Sequence, residues 1–165
     1  MEQLGAPWRI KFIQQKVKYQ TCIFCIKSKI NRDKANFVLY RGKYGFIILN
    51  VFPYTNGHLM VAPYRHCADL ELLSPQESAE LFELMQLGVK LLKQTVKCTG
   101  LNIGMNIGKP GGAGVADHIH IHLVPRWVGD TNFMPVTAKT KVLPESLPSV
   151  YARMIKTLKQ LHPKK

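Results

Sequence analysis

A chain of 165 residues with a 46% apolar fraction is most simply one globular domain with room for a proper core, and no apolar run in it is long enough to span a bilayer. Its formal charge of +13, from 23 basic and 10 acidic side chains, points to anionic partners such as nucleotides. The lysines are dispersed rather than interleaved with aromatic residues, which argues against a nucleic-acid groove.

The opening residues lack the apolar centre of a signal peptide, so a cytoplasmic protein is expected. Pro7 to Ile13 mixes large apolar and basic residues, the makings of an N-terminal arm. Cys22-Ile23-Phe24-Cys25 follows; two of the four cysteines at this spacing suggest metal ligation in a reducing compartment, with a redox dithiol the weaker reading because the βα context is missing. Residues 28–36, rich in lysine, asparagine and acid, read as a loop. Phe37 to Tyr40 and Tyr44 to Leu49, β-branched and aromatic around Gly42, predict a hairpin, and His58 to Ala62 a third strand of the same meander.

Ser74-Pro75-Gln76-Glu77 carries a capping box and a first-turn proline, and so starts a long helix. Its apolar stripe is Leu81, Leu84, Met85, Val89, Leu92 and Val96, with Lys90, Lys93 and Lys97 near the end where the dipole favours cations. Leu101 to Gly108 alternates like a strand, and a short second helix is expected at Val150 to Leu161. Five strands, one long helix and one short one give an α+β fold with a mostly antiparallel five-stranded sheet.

In the remaining stretch, Asp117 to Trp127, every second residue at first is histidine and the residues between are apolar. As a strand it would line one face with His118, His120 and His122 and send Ile119, Ile121 and Leu123 into the core. Three imidazoles on one face, out of six in the chain, suggest use. Cys22 and Cys25 would need two more donors for a closed tetrahedral zinc: His66, or Cys67 beside it, and one triad histidine, for which His118 is the choice. A catalytic zinc held by His-x-His competes, but carboxylates that could serve it are few, Asp117 and Asp130 being the near ones. Alternatively one neutral imidazole attacks phosphorus, with the phosphate held by the N–H groups of the glycine-rich loop that includes Gly112 and Gly114 and by Lys109.

The run His118-Ile-His120-Ile-His122-Leu-Val resembles the signature of the histidine triad (HIT) superfamily. Asn50 to Pro63, with its Gly57-His58, is similar to another segment of that family, and Cys22-x-x-Cys25 to the zinc half-site of many members. Pro7-Trp8-Arg9 and Pro125 to Phe133 resemble a bacterial branch that includes diadenosine tetraphosphate phosphorylases. The resemblance covers most of residues 7–135 and implies a single HIT-like domain, 1–165, with an N-terminal arm at 1–20 and a C-terminal extension at 136–165. It also implies a homodimer whose sheets join, nucleotide substrates, and a two-step nucleotidyl transfer that cleaves diadenosine polyphosphates or related conjugates. On this basis His120 is the nucleophile, His122 and His58 support it and the phosphate, Asn50 meets the ribose and Asn106 the phosphate or ribose. His118 then joins Cys22, Cys25 and His66 on a structural zinc. One position departs from the pattern. Four residues before the first triad histidine the family's hydrolases commonly carry glutamine and its phosphorylases serine, whereas here Gly114 offers only its backbone. Water and inorganic phosphate both stay open as the second acceptor, although the other motifs lean to the phosphorylase branch. A nucleotide sensor or adaptor without efficient chemistry, and a nucleoside phosphoramidase, are the alternatives.

Overall fold

Ser74 caps the longest helix as its sequence predicts. In the computed structural model, which describes residues 22–130 and 144–161, the Ser74 hydroxyl accepts the Glu77 N–H at 3.2 Å and the Glu77 carboxylate accepts the Ser74 N–H at 2.8 Å. Two of the helix's unpaired amides are thereby satisfied. The described residues form helices α1 (Ile23–Lys29), α2 (Asp33–Asn36), α3 (Pro75–Val96) and α4 (Leu147–Leu161), and strands β1 (Val38–Arg41), β2 (Gly45–Leu49), β3 (Leu59–Pro63), β4 (Gly100–Met105) and β5 (Ile121–Arg126). The arm expected within residues 1–20 lies outside the described residues.

The strands make one sheet in the order β1-β2-β3-β5-β4, with every neighbouring pair antiparallel. The predicted meander is its first half. β5 inserts between β3 and β4, which sets His122 opposite Met60 on one side and Gly104 on the other. β2 and β3 are buried along their whole length, and alternate side chains separate two cores. Ile47, Leu49, Leu59, Val61 and Leu123 pack under α3 and α4; Phe46, Ile48, Met60 and Ala62 pack with Phe24 of α1. At the free edge, β4 leaves Asn102 to Met105 exposed.

Several boundaries differ from the sequence reading. Residues 28–36 are not simply a loop: they hold the end of α1 and all of α2. Helices of seven and four residues are too short to display an apolar period, and what holds them is tertiary. The Arg41 guanidinium donates to the Ser28 carbonyl at 2.6 Å, to the Lys27 and Ile30 carbonyls at 3.1 Å, and to the Asp33 carboxylate at 2.7 Å. On α3, Leu87 and Leu91 are buried while Met85 and Val89 are only half-buried, because α4 widens the apolar face to that side. α4 itself begins at Leu147 rather than Val150 and seats Val150, Tyr151, Met154 and Leu158 in the main core. The Tyr151 hydroxyl donates to the Val38 carbonyl at 3.0 Å.

The β1–β2 turn is gripped from α3. The Glu80 carboxylate accepts the N–H groups of Lys43 at 2.7 Å and Gly45 at 2.9 Å, and that of Tyr44 between them. The histidine stretch is not one continuous strand. The ladder starts at Ile121, because the Ile119 N–H turns aside to the Cys67 carbonyl at 2.7 Å, and His118 and His120 sit on the irregular segment that leads in.

Candidate functional site

That irregular lead-in sends the three triad histidines to different places. His118 is fully buried. Its Nε2–H donates to the Pro63 carbonyl at 2.9 Å, which leaves Nδ1 as the electron-pair donor. This atom lies 3.3 Å from Cys22 Sγ, 3.6 Å from Cys25 Sγ and 3.3 Å from His66 Nδ1, and Cys25 Sγ lies 3.4 Å from His66 Nδ1. The four donor atoms all fall within 4.8 Å of one another and could hold a metal ion. Burial, with His66 and His120 adding to it, pushes the His118 imidazole down to about 4, so the ring is neutral as a metal ligand requires. Cys67 is buried outside this group, which leaves His66 as the third donor.

His120 makes the opposite choice of ring nitrogen. Its Nδ1–H donates to the His118 main-chain carbonyl at 2.9 Å, so the lone pair is on Nε2. Only 5% of the residue is exposed, the Phe24 ring lies 4.8 Å away, and burial lowers its pKa from the ordinary imidazole value. His122 meets it edge to face with centroids 4.8 Å apart.

The tautomer of a third ring is fixed by a backbone donor. The Tyr54 N–H donates to His58 Nδ1 at 3.1 Å, so His58 carries its proton on Nε2 and donates it to His122 Nδ1 at 2.9 Å. His122 in turn carries its own proton on Nε2. Two hydrogen bonds in series therefore leave His122 with an N–H at Nε2, on the ring that meets His120. His58 is held there by Gly57, whose φ of +83° is left-handed backbone that favours glycine.

Both His120 and His122 line a cavity of about 270 Å³. Its walls are Ile23, Phe24 and Lys27 from α1, Ile48 to Phe52 and Tyr54 from β2 and the turn after it, Met60 from β3, and Gly112, Gly114 and Val115 from the glycine-rich loop. Asn50 sits between the wall and the histidines: its amide lies 3.4 Å from His58 Nδ1 and its Oδ1 accepts the Phe52 N–H at 2.9 Å. The loop's shape depends on Gly111, where a Cβ would fall 2.3 Å from the Ile107 carbonyl oxygen.

The structure thus brings together His58, His120, His122, Asn50, Gly112 and Gly114, and separately Cys22, Cys25, His66 and His118. Asn106 stands behind the loop, its Nδ2 being 3.2 Å from where a Gly112 Cβ would be. Lys109 is exposed and does not line the cavity. Sequence reasoning did not single out Phe24, Lys27, Phe52 or Tyr54. For Phe24 a signal existed: it lies between the two cysteines of a CxxC that opens a helix, and so borders whatever the metal site adjoins.

Residues 31–128 match the family model described as HIT domain. The chain is 43% identical over 115 residues to the AP-4-A phosphorylase of Mycobacterium tuberculosis, covering 70% of this chain and 59% of that one. It is 32% identical over 98 residues to the bis(5'-adenosyl)-triphosphatase of Saccharomyces cerevisiae, covering 56% of this chain and 47% of that one. The chain therefore spans about three fifths or less of the length of these curated relatives. In fold it is similar to a Zn-bound histidine triad family protein from Mycobacterium smegmatis, with a TM-score of 0.69 at 24% identity over 88% of this chain and 99% of that one. Among the described residues no helix is long and apolar enough to cross a membrane.

Proposed function

Because the chain belongs to the HIT domain family, we propose that it is an enzyme that cleaves dinucleoside polyphosphates, diadenosine tetraphosphate among them, by passing a nucleoside monophosphate through His120. The observation that carries this reading is the hydrogen bond from His120 Nδ1–H to the His118 carbonyl, which leaves a nucleophilic lone pair on Nε2 at the cavity wall. Nε2 attacks the α-phosphorus in line, forming a phosphoramidate N–P bond as the rest of the polyphosphate departs. The His122 Nε2–H, aimed through His58, stabilises the charge that gathers on the phosphoryl oxygens. Asn50 meets the ribose, the N–H groups of Gly112 and Gly114 meet the phosphate with Asn106 behind them, and Lys109 acts on the polyphosphate outside the cavity. Water or inorganic phosphate then releases the nucleotide.

Zinc suits the four-donor group. A tetrahedron with Zn–N near 2.0 Å and Zn–S near 2.3 Å has ligand-to-ligand edges of about 3.3 to 3.8 Å; four of the six edges here are 3.3 to 3.6 Å, and all four donors lie within 4.8 Å of one another. Two thiolates and two imidazoles leave no open position, so the zinc is structural: it supplies a cross-link between the start of α1 and the segment before β5. Its benefit to catalysis is indirect, since the carbonyl that orients His120 belongs to the ligand His118. A closed sheet across a homodimer accounts for the exposed edge of β4, where Ile103 and Met105 are 45% and 38% exposed beside Phe82 at 57%.

The test is incubation with diadenosine tetraphosphate with and without inorganic phosphate. AMP with ATP marks hydrolysis; ADP with ATP, only when phosphate is present, marks phosphorolysis. His120→Ala should abolish turnover while the variant stays folded and binds nucleotide. Full activity in that variant sinks the mechanism, and nucleotide binding with no consumption and no histidine-linked intermediate on rapid quench makes the protein a sensor instead.

A further inference from the structure

The cavity carries one ammonium side chain on its described lining, Lys27, to which the transfer steps above assign no part. Its position follows from the sheet. The histidines stand at β5, Met60 on β3 is the next wall, Ile48 and Asn50 on and after β2 the one after, and Lys27 lies beyond, with its Nζ 3.5 Å from the carbonyl of Asn36 just before β1. From β5 to the β1 side is three strand spacings, about 14 Å. A nucleotide whose phosphorus is at His120 and whose ribose is at Asn50 therefore extends its base toward Lys27.

Around that end the walls are apolar: Ile23, Ile48 and Phe52. Among the described residues no carboxylate pairs with Lys27, and the Asn36 carbonyl at 3.5 Å is its one polar partner. An ammonium has three N–H donors and no acceptor, so at least two are left for a ligand, on a side chain that is itself half-buried. Guanine presents two adjacent acceptors on its Hoogsteen edge, O6 and N7, which is what a lysine reads; adenine places its N6 amino group, a donor, beside N7. Donor facing donor in a half-buried pocket is unfavourable.

We infer that Lys27 is a specificity-determining residue that makes this a guanine-preferring pocket, its ammonium donating to the O6 and N7 edge of the base whose phosphate His120 receives. This rests on the nucleotidyl-transfer reading above and adds the base to it.

A mixed substrate, adenosine-guanosine tetraphosphate, tests it by internal competition. The nucleoside bound in the pocket leaves as the monophosphate on hydrolysis or the diphosphate on phosphorolysis, so guanine in the pocket gives GMP or GDP with ATP. The unmodified protein should yield these over AMP or ADP with GTP by about tenfold or more, and Lys27→Met should bring the ratio toward one at unchanged zinc content. Equal partition by the unmodified protein overturns the proposal, as does a ratio that survives Lys27→Met. A loss in Lys27→Met that is equal for both products also overturns it, since that places the ammonium on phosphate. If no dinucleoside polyphosphate is consumed, the transfer reading fails on its own, and titration with GMP and AMP decides the base: tighter GMP supports Lys27, while equal or absent binding of the two overturns it.

Discussion

Gly57 is where the turn before β3 passes through both the core and the site, and Gly57→Ala measures what that arrangement requires. The backbone there has φ +83°, and forcing an L-residue into left-handed backbone costs about 1 to 2 kcal/mol. A Cβ would also sit 3.2 Å from Val96 Cγ1, 3.3 Å from Met154 Cε and 3.4 Å from Leu92 Cδ2. Leu92 and Met154 are fully buried, so neither can simply swing into solvent, and crowding of this kind adds about 1 kcal/mol. The expected destabilisation is about 2 to 3 kcal/mol, which in a chain of this length lowers Tm by roughly 5 to 10 °C. Thermal unfolding followed by circular dichroism reads it directly. In a Met154→Leu background, which removes the ε-methyl with little change of volume, the penalty should shrink by a few tenths of a kcal/mol yet persist, because the φ cost remains. A Gly57→Ala protein within about 0.5 kcal/mol of the parent would refute the reasoning and mean that the turn re-forms with negative φ. Since His58 is the next residue, turnover should fall by more than the unfolded fraction accounts for.

Three further outcomes are expected. One zinc per chain should be found by metal analysis, and chelation or Cys25→Ser should lower Tm by about 10 °C or more, in keeping with the several kcal/mol a structural zinc contributes; an unchanged melting curve after metal removal would exclude a structural role. Glu77 is held down to about 2 by the Arg65 guanidinium and the Ser74 cap, below its value in the unfolded chain. Its contribution to stability is therefore fully present above about pH 4.5 and lost as pH falls toward 2, and Glu77→Gln should flatten that part of a pH series of denaturant midpoints. Finally, light scattering should find a dimer that Met105→Glu converts to monomer; a monomeric parent protein would reassign the exposed β4 edge.

What could be read in advance was what is encoded locally. The capping box at Ser74 needs only four consecutive residues, and the hairpin needs only its own alternation and glycine, so both stand. The cysteines and histidines that gather into one group were legible because few residue types bind metals and this chain contains few of them. Met85 and Leu87 were harder, since which of them faces the core depends on α4, some sixty residues later. Lys27 could not have been picked out: a lysine in a polar stretch looks like a solvated charge until packing encloses it. Nor does spacing reveal that His118 and His120 use opposite ring nitrogens, because that choice is made by the Pro63 and His118 carbonyls.

The grip of Glu80 on the β1–β2 turn has a consequence in time rather than in structure. Amides at an exposed hairpin tip ordinarily exchange with solvent through small local openings. Here the N–H groups of Lys43, Tyr44 and Gly45 all end on one carboxylate anchored in the first turns of α3. Their protons can leave once that carboxylate swings away, so in deuterium the three should slow together relative to an unheld turn, and Glu80→Gln should speed all three at once.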